Sequence, residues 1–342
     1  MPVPFPTRHQ TSLAWVILAL LLGGGGLAWA ERPPLPLHLP VDCVPGATCF
    51  IQNHLDHDPG PLAVDYRHGS LTYDGHKGTD FRVRTFRDMR AGVAVLATAD
   101  GVVKAVREGM PDGPASGVVD EKAIGERLAG NSVLIDHGAG WESQYGHLLA
   151  GSVAVTPGQT VRAGDRLGLI GQSGLAQFPH VHFEVRYNGL PIDPFDARDP
   201  ERPDVPGEVL WQPEIRPTLT YHHAGELSSG FSPVIPDATL VADPADAPFN
   251  PRERALIFWV HFFGARRGDT ETIRLLDPQG HVLAEQRDQA VKHQARTIRY
   301  LGRPRPNALS AWPAGTYTGE FILERAGFVE PLIRLSKQLT IP

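Results

Sequence analysis

The side chains able to do chemistry concentrate in three short stretches of the 342-residue chain. His76-Lys77-Gly78-Thr79-Asp80 sets an imidazole and a carboxylate on either side of a glycine, whose permissive backbone lets both turn toward one point. His180-Val181-His182 belongs to a run of strand character, Val181-His182-Phe183-Glu184-Val185, in which alternate side chains share a face, so both imidazoles point the same way. Tyr145-Gly146-His147-Leu148 adds one more imidazole. Zinc accepts histidine nitrogen and aspartate oxygen, and a hydrolytic zinc site keeps three protein ligands and an open fourth position. His76, Asp80 and one member of the His180/His182 pair supply that set, and spacing alone leaves open which member. The other member and His147 are then available as general base, acid or oxyanion stabiliser. The chemistry implied is metal-assisted hydrolysis, with no Gly-x-Ser-x-Gly nucleophile elbow competing for it.

Strands must position these groups. Between Thr79 and Asp196 the chain shows short β-type runs separated by glycine turns: Phe81–Val83, Ala94–Ala97, Gly101–Val106, Ser132–Ile135, Arg166–Ile170 and Val181–Val185. Only Asp120 to Leu128, inside a polar segment at 108–130, hints at a helix, so helices are expected to be few. The proline-rich stretch 31–40 reads as an extended lead-in, with packed structure starting near Val41. The turn-rich stretch 41–75 is expected to wall the groove, and its His54, His57 and His68 to be bystanders. Prolines at 199–206 mark a linker, after which Ala255–Phe263, a hairpin around Asp277–Gly280 and Thr316–Leu323 suggest an immunoglobulin-like sandwich. His222-His223 is expected at the surface, since neighbours on a strand face opposite ways. The expectation is an all-β chain with a catalytic domain at 70–198 and a β-sandwich accessory domain at 207–342.

The net charge of −6 and the lack of basic stretches argue against nucleic acid as a partner. Arg8, the apolar run Leu13–Leu22 and Ala28-Trp29-Ala30 have the form of a cleavable signal peptide over 1–30, implying export to the periplasm or cell surface and no stable membrane span after cleavage. The alternative, an uncleaved anchor, is weakened by Gly23–Gly26. In an oxidising compartment Cys43 and Cys49 are expected to pair across the Pro45-Gly46 turn, the alternative being two unpaired thiols.

His76-x-x-x-Asp80, Tyr145-Gly146-His147-Leu148 and Pro179-His180-Val181-His182-Phe183-Glu184-Val185 resemble the lysostaphin/LytM family of zinc endopeptidases. Gly130–Gly138, Val155–Asp165 and Gly189–Pro194 extend the resemblance over about residues 70–196. It implies a compact antiparallel β domain with a deep groove, Zn2+ held by His76, Asp80 and His182, and His147 and His180 as the catalytic histidines. It also implies peptidoglycan peptides as substrate, cut in cross-links or stem peptides. His137 recurs in the family at a strand end and reads as structural. Degenerate members act as non-catalytic peptidoglycan-binding modules or as activators of other cell-wall hydrolases, but here both the ligand set and the histidine pair are intact. The segment 108–130 is longer than in many relatives and is expected to narrow substrate choice if it borders the groove. Some relatives carry a groove tyrosine that helps stabilise the oxyanion, or an asparagine that covers zinc in a latent form; neither role aligns onto Tyr73 or Asn53 from sequence. The motif Val155–Gly171 also resembles lipoyl carriers and sugar-transport phosphocarriers, which are cytoplasmic, so the export signal argues against that reading. The sandwich is expected to position the enzyme or bind a wall or protein partner, by analogy of architecture.

Overall fold

In the computed structural model the described residues are 33–198, 205–245 and 247–342. The expected signal peptide, and all of the expected linker except Val205 and Pro206, lie outside them. Among the described residues no helix is long and apolar enough to cross a membrane.

The first part of the chain runs β1 (Cys49–Asn53), β2 (Thr79–Val83), α1 (Phe86–Ala91), β3 (Ala94–Leu96), β4 (Gly101–Arg107), α2 (Glu121–Ile124), β5 (Asn131–Gly138), β6 (Trp141–Leu148), β7 (Thr160–Val161), β8 (Arg166–Leu169), β9 (His180–Tyr187) and β10 (Leu190–Ile192). The main sheet has the order β1-β2-β9-β6-β5-β4-β7, with β10 on β9, and β3 pairs separately with β8. Its neighbours run antiparallel. Three histidine-bearing stretches distant in sequence thus meet at the centre of the sheet, where Asp80 lies opposite His182 and Gly146 lies opposite the same residue from the other side. Alternation along β9 explains the face each side chain takes. Val181, Phe183 and Val185 are fully buried behind the sheet, beside Phe81 and Tyr145, which leaves His180, His182 and Glu184 on the opposite face. Each such apolar burial contributes roughly 1.5–3 kcal/mol. The two short helices are set by their caps: Thr85 and Asp88 form a reciprocal capping box on α1, and the Asp120 carboxylate accepts the first free amides of α2.

Packing begins earlier than the proline pattern suggested. Leu35 and Leu37 are buried, and Leu37 pairs with Trp211, whose indole packs on Phe81, Phe183 and Phe195. An extended proline-rich segment can still present alternate apolar side chains to a core. Cys43 and Cys49 form a disulfide.

The remaining elements are β11 (Gly225–Ser232), α3 (Ala238–Ala242), β12 (Ala255–Ala265), β13 (Thr270–Leu276), β14 (Val282–Gln289), β15 (Gln294–Pro304), β16 (Gly315–Glu324) and β17 (Ile333–Ile341). They form two sheets, β11-β12-β15 and β14-β13-β16-β17. Leu256, Phe258, Val260 and Phe262 of β12 meet Leu275, Tyr317, Phe321 and Leu323 in one core, as in a β-sandwich. The other face of β12 is buried too: Ile257, Trp259, His261 and Phe263 are covered, and Phe263 packs on Phe50 of β1. Two-sided burial is why this strand reads as a continuous apolar run rather than an alternation. His222 and His223 differ from expectation. They lie in coil before β11, half-buried, with His222 edge-on to Phe50 and His223 against Tyr221 and Phe328. The strand rule that put them at the surface does not apply to coil.

His261 supplies a pH test of this packing. Burial, helped by the charges of Arg82 and Arg296, pushes it down from 6.5 to about 3. The unfolded chain takes up the proton first, so the stability tied to a neutral His261 is intact above pH 6.5 and is lost as pH falls toward 3. Urea denaturation at about pH 7.5 and about pH 5 should show roughly 2 kcal/mol more acid loss in the native chain than in His261→Gln. Identical pH dependence in the two would contradict the assignment.

Candidate metal centre

Gly78 is needed between the first two site residues because a Cβ there would sit 2.8 Å from His182 Nε2 and 2.6 Å from the Phe183 carbonyl oxygen. With that clearance, the side chains of His76, Asp80 and His182 converge. His76 Nε2 lies 3.2 Å from Asp80 Oδ1 and 3.2 Å from His182 Nδ1, and His182 Nδ1 lies 3.0 Å from Asp80 Oδ1. These are the only His, Cys, Asp or Glu among the described residues that group in this way. Zinc bonds of about 2.0–2.1 Å in a tetrahedron place ligand atoms about 3.3–3.4 Å apart, so the triangle fits one zinc ion with its fourth corner open.

Each of the three candidate ligands is oriented from behind. His76 Nδ1 donates to the His54 carbonyl at 2.6 Å, which fixes the tautomer and turns the Nε2 lone pair inward. Asn53 Nδ2 donates to Asp80 Oδ2 at 2.8 Å, leaving Oδ1 for the metal. Glu184 stands 3.9 Å behind His182 Nε2 and is itself gripped by Arg186, which also donates to Gln144. Tyr73 stacks on His76 with ring centres 4.4 Å apart. Burial would raise Asp80, but the charges of His76 and His180 and hydrogen bonds from His182 and His76 hold it well below the carboxylate range. Burial likewise opposes charge on His182, yet Asp80 and Glu184 hold it up at about 9. The site is built to place positive charge against Asp80, and a divalent cation meets that demand.

His147 and His180 stand beside this triangle with ring centres 4.6 Å apart. His180 Nε2 is 3.5 Å from Asp80 Oδ1. Each donates through Nδ1 to a backbone carbonyl, His147 to Ser173 at 2.7 Å and His180 to Phe178 at 2.8 Å, so each keeps an Nε2 lone pair. Burial, with the neighbouring imidazoles, pushes His147 far below the histidine range, and burial lowers His180 against the pull of Asp80. Burial thus favours the neutral form of both rings. His147 holds φ +60°, a conformation non-glycine residues rarely adopt, and its amide donates to the Ala129 carbonyl at 2.7 Å.

The segment 108–130 serves these histidines. The Gln172 amide donates to Asp112 at 2.6 Å, Gly113 to the Gln172 carbonyl at 2.9 Å, and Leu175 to the Leu128 carbonyl at 2.8 Å. It therefore braces the loop whose Ser173 and Phe178 carbonyls orient His147 and His180. Of the other histidines, His137 bridges the Asp100 carbonyl and Ser143, while His57 donates to Asp193 at 2.7 Å. His54 lies outside the metal-competent group, in line with the expectation, yet its buried ring stacks on Tyr221 and its carbonyl holds His76. Backbone roles of this kind leave no side-chain signal, and Asn53 lies 27 residues from Asp80 with nothing local to pair them. Glu184 was findable, because it follows His182 by two positions on the same strand face.

Asn53→Ala should lower zinc affinity about 10- to 100-fold, as loss of a partner behind a metal ligand commonly does. Competition against a chromogenic chelator reads this directly, and unchanged affinity would show that Asp80 needs no such support.

The profile of Peptidase family M23 matches residues 74–194. The chain is 32% identical over 137 residues to the peptidoglycan DD-endopeptidase ShyA of Vibrio cholerae, a match covering 40% of this chain and 26% of that protein. It is 37% identical over 129 residues to the DD-carboxypeptidase/endopeptidase Mpg of Neisseria meningitidis, covering 38% and 24%. The chain thus spans about a quarter of the length of these curated relatives. Among solved structures, the catalytic domain of the antimicrobial peptidase lysostaphin from Staphylococcus simulans is 20% identical, covering 42% of this chain and 85% of that one with a TM-score of 0.28. The residues that match the Peptidase family M23 profile, 74–194, carry His76, Asp80, His147, His180 and His182.

Proposed function

We propose that the chain is an exported zinc-dependent endopeptidase that hydrolyses peptide bonds in peptidoglycan cross-links or stem peptides. One observation carries this reading: three ligand atoms 3.0–3.2 Å apart stand beside two neutral imidazoles whose Nε2 atoms are unspent. His76, Asp80 and His182 are the proposed zinc ligands, and His147 and His180 the proposed catalytic histidines. Zinc bound there would polarise the scissile carbonyl and activate water. His180 Nε2, beside Asp80, takes the proton from the attacking water and returns it to the leaving amine. His147, whose ring lies 4.6 Å from that of His180 and whose Nε2 carries no proton, is the second base available to share the proton that His180 takes from the water. Their carbonyl partners keep both rings from turning away during the cycle.

Substrate and compartment rest on the relatives' names and on the export signal read at 1–30. In the proposed partition the peptidase domain covers 70–198 and the sandwich 207–342, the latter serving to position the enzyme or to contact a wall or protein partner.

Cross-linked muropeptide dimers incubated with the full chain should yield monomers by mass spectrometry, with none formed in the presence of a chelator and activity restored by zinc. His182→Ala should lose zinc and cleavage together. His180→Ala should keep one equivalent of zinc while cleavage falls about 10²–10⁴-fold. A His180→Ala protein that cannot hold zinc would overturn the division of roles. Dimers left intact by the zinc-loaded native chain would favour the non-catalytic binding module instead.

A further inference from the structure

The His180 end of the site carries a feature that the proposed chemistry leaves unused. Arg82 follows Asp80 by two positions on β2, so it shares the site face, and it lies opposite His180 in the β2–β9 register. It is only 2% exposed. Its donors go to the carbonyls of Val83 and Arg84, at 3.1 and 3.3 Å, and to the Gln52 side chain. Its guanidinium lies 4.5 Å from the Phe178 ring centre, and that ring is 4.6 Å from the His180 ring. Every one of these partners is neutral.

A second guanidinium arrives from the sandwich. Arg296 of β15 is half-buried, and its terminal nitrogen would be 2.7 Å from a Cβ on Gly117, at the same point where the Gln177 carbonyl closes in. Its charge is felt at both Arg82 and His261. His261 is 4% exposed, and its Nδ1 has no partner. Among the described residues no carboxylate pairs with Arg82 or Arg296. Two like charges in a partly buried corner oppose one another, a neutral unpartnered imidazole stands beside them, and such a group gains most from an anion. A guanidinium recognises a carboxylate by a two-pronged hydrogen bond, and peptides offer carboxylates at their ends and on acidic side chains.

We infer that this corner is a carboxylate subsite for the peptide substrate, in which Arg296 makes the contact and buried Arg82 supplies the field behind it. The inference rests on the peptide substrate proposed above. It gives the sandwich a direct part in substrate choice, because one of the two cations belongs to it.

The test is binding, which does not require turnover. Calorimetric titration of the zinc-loaded full chain uses two probes: the un-cross-linked muropeptide monomer, and the same monomer with its carboxylates converted to carboxamides. The native chain should bind the carboxylate form at least about tenfold more tightly. Arg296→Gln should lose most of that preference, and Arg296→Lys should keep part of it, which guards against a folding defect. Equal affinity for both probes, no binding of either at millimolar concentration, or a preference surviving in Arg296→Gln would each overturn the subsite. Dimers left uncut while the preference is present would sink the peptidase reading alone, and dimers cut without any preference would sink the subsite alone.

Discussion

The site is organised around one buried negative charge. Asp80 is 2% exposed, and a carboxylate taken out of water at that depth persists only if positive charge and hydrogen bonds compensate it. The surrounding residues are arranged to that end. His76, His180 and His182 bring nitrogens to within 3.0–3.5 Å of Oδ1, and Asn53 satisfies Oδ2. Gly78 clears the space that lets His182 come so near, and the β2–β9 register sets His182 opposite Asp80. A divalent cation at the centre of this group would replace several partial compensations with a single strong one, and the spacing of the three ligand atoms fits it.

His147 and His180, which stand beside the triangle, illustrate a different constraint. Their usefulness depends on which ring nitrogen faces the site, and that is decided by backbone carbonyls on one loop. The loop is glycine-containing and carries no helix or long strand of its own. Asp112, Gly113 and Leu128, in the segment 108–130, tie it down. That segment was legible as an addition to the family pattern, while the bracing it gives to His147 and His180 runs through hydrogen bonds distant in sequence that leave no local signal.

What the sequence made legible is what short-range pattern encodes. The alternation in Val181–Val185 showed that His180 and His182 share a face, and the apolar runs located β2, β4, β5, β8, β9 and β12. The expectation that His182 rather than His180 is the ligand came only from family resemblance, because both lie on the same face of one strand. What stayed hidden was long-range. β6 carries polar residues through much of its length, so no apolar run announced it, and α1 is a six-residue helix whose signal is mainly its Thr85–Asp88 cap. The contacts between the first part of the chain and the sandwich, such as Tyr221 on His54 and Phe263 on Phe50, pair residues with no local relation. The same reason hid His54, whose backbone carbonyl, rather than its ring, supports the site.

Those contacts also change how the sandwich is regarded. Its Phe263 packs on Phe50 of the first part of the chain, and Tyr221, ahead of β11, stacks on His54 behind His76. The central claim remains that three side chains hold one zinc ion with a position left open, and zinc K-edge X-ray absorption on the full chain tests it most directly. The account predicts a four-coordinate shell of nitrogen and oxygen at about 2.0–2.1 Å, with outer-shell scattering from two imidazoles and no sulfur. A six-coordinate, all-oxygen shell without imidazole scattering would contradict it.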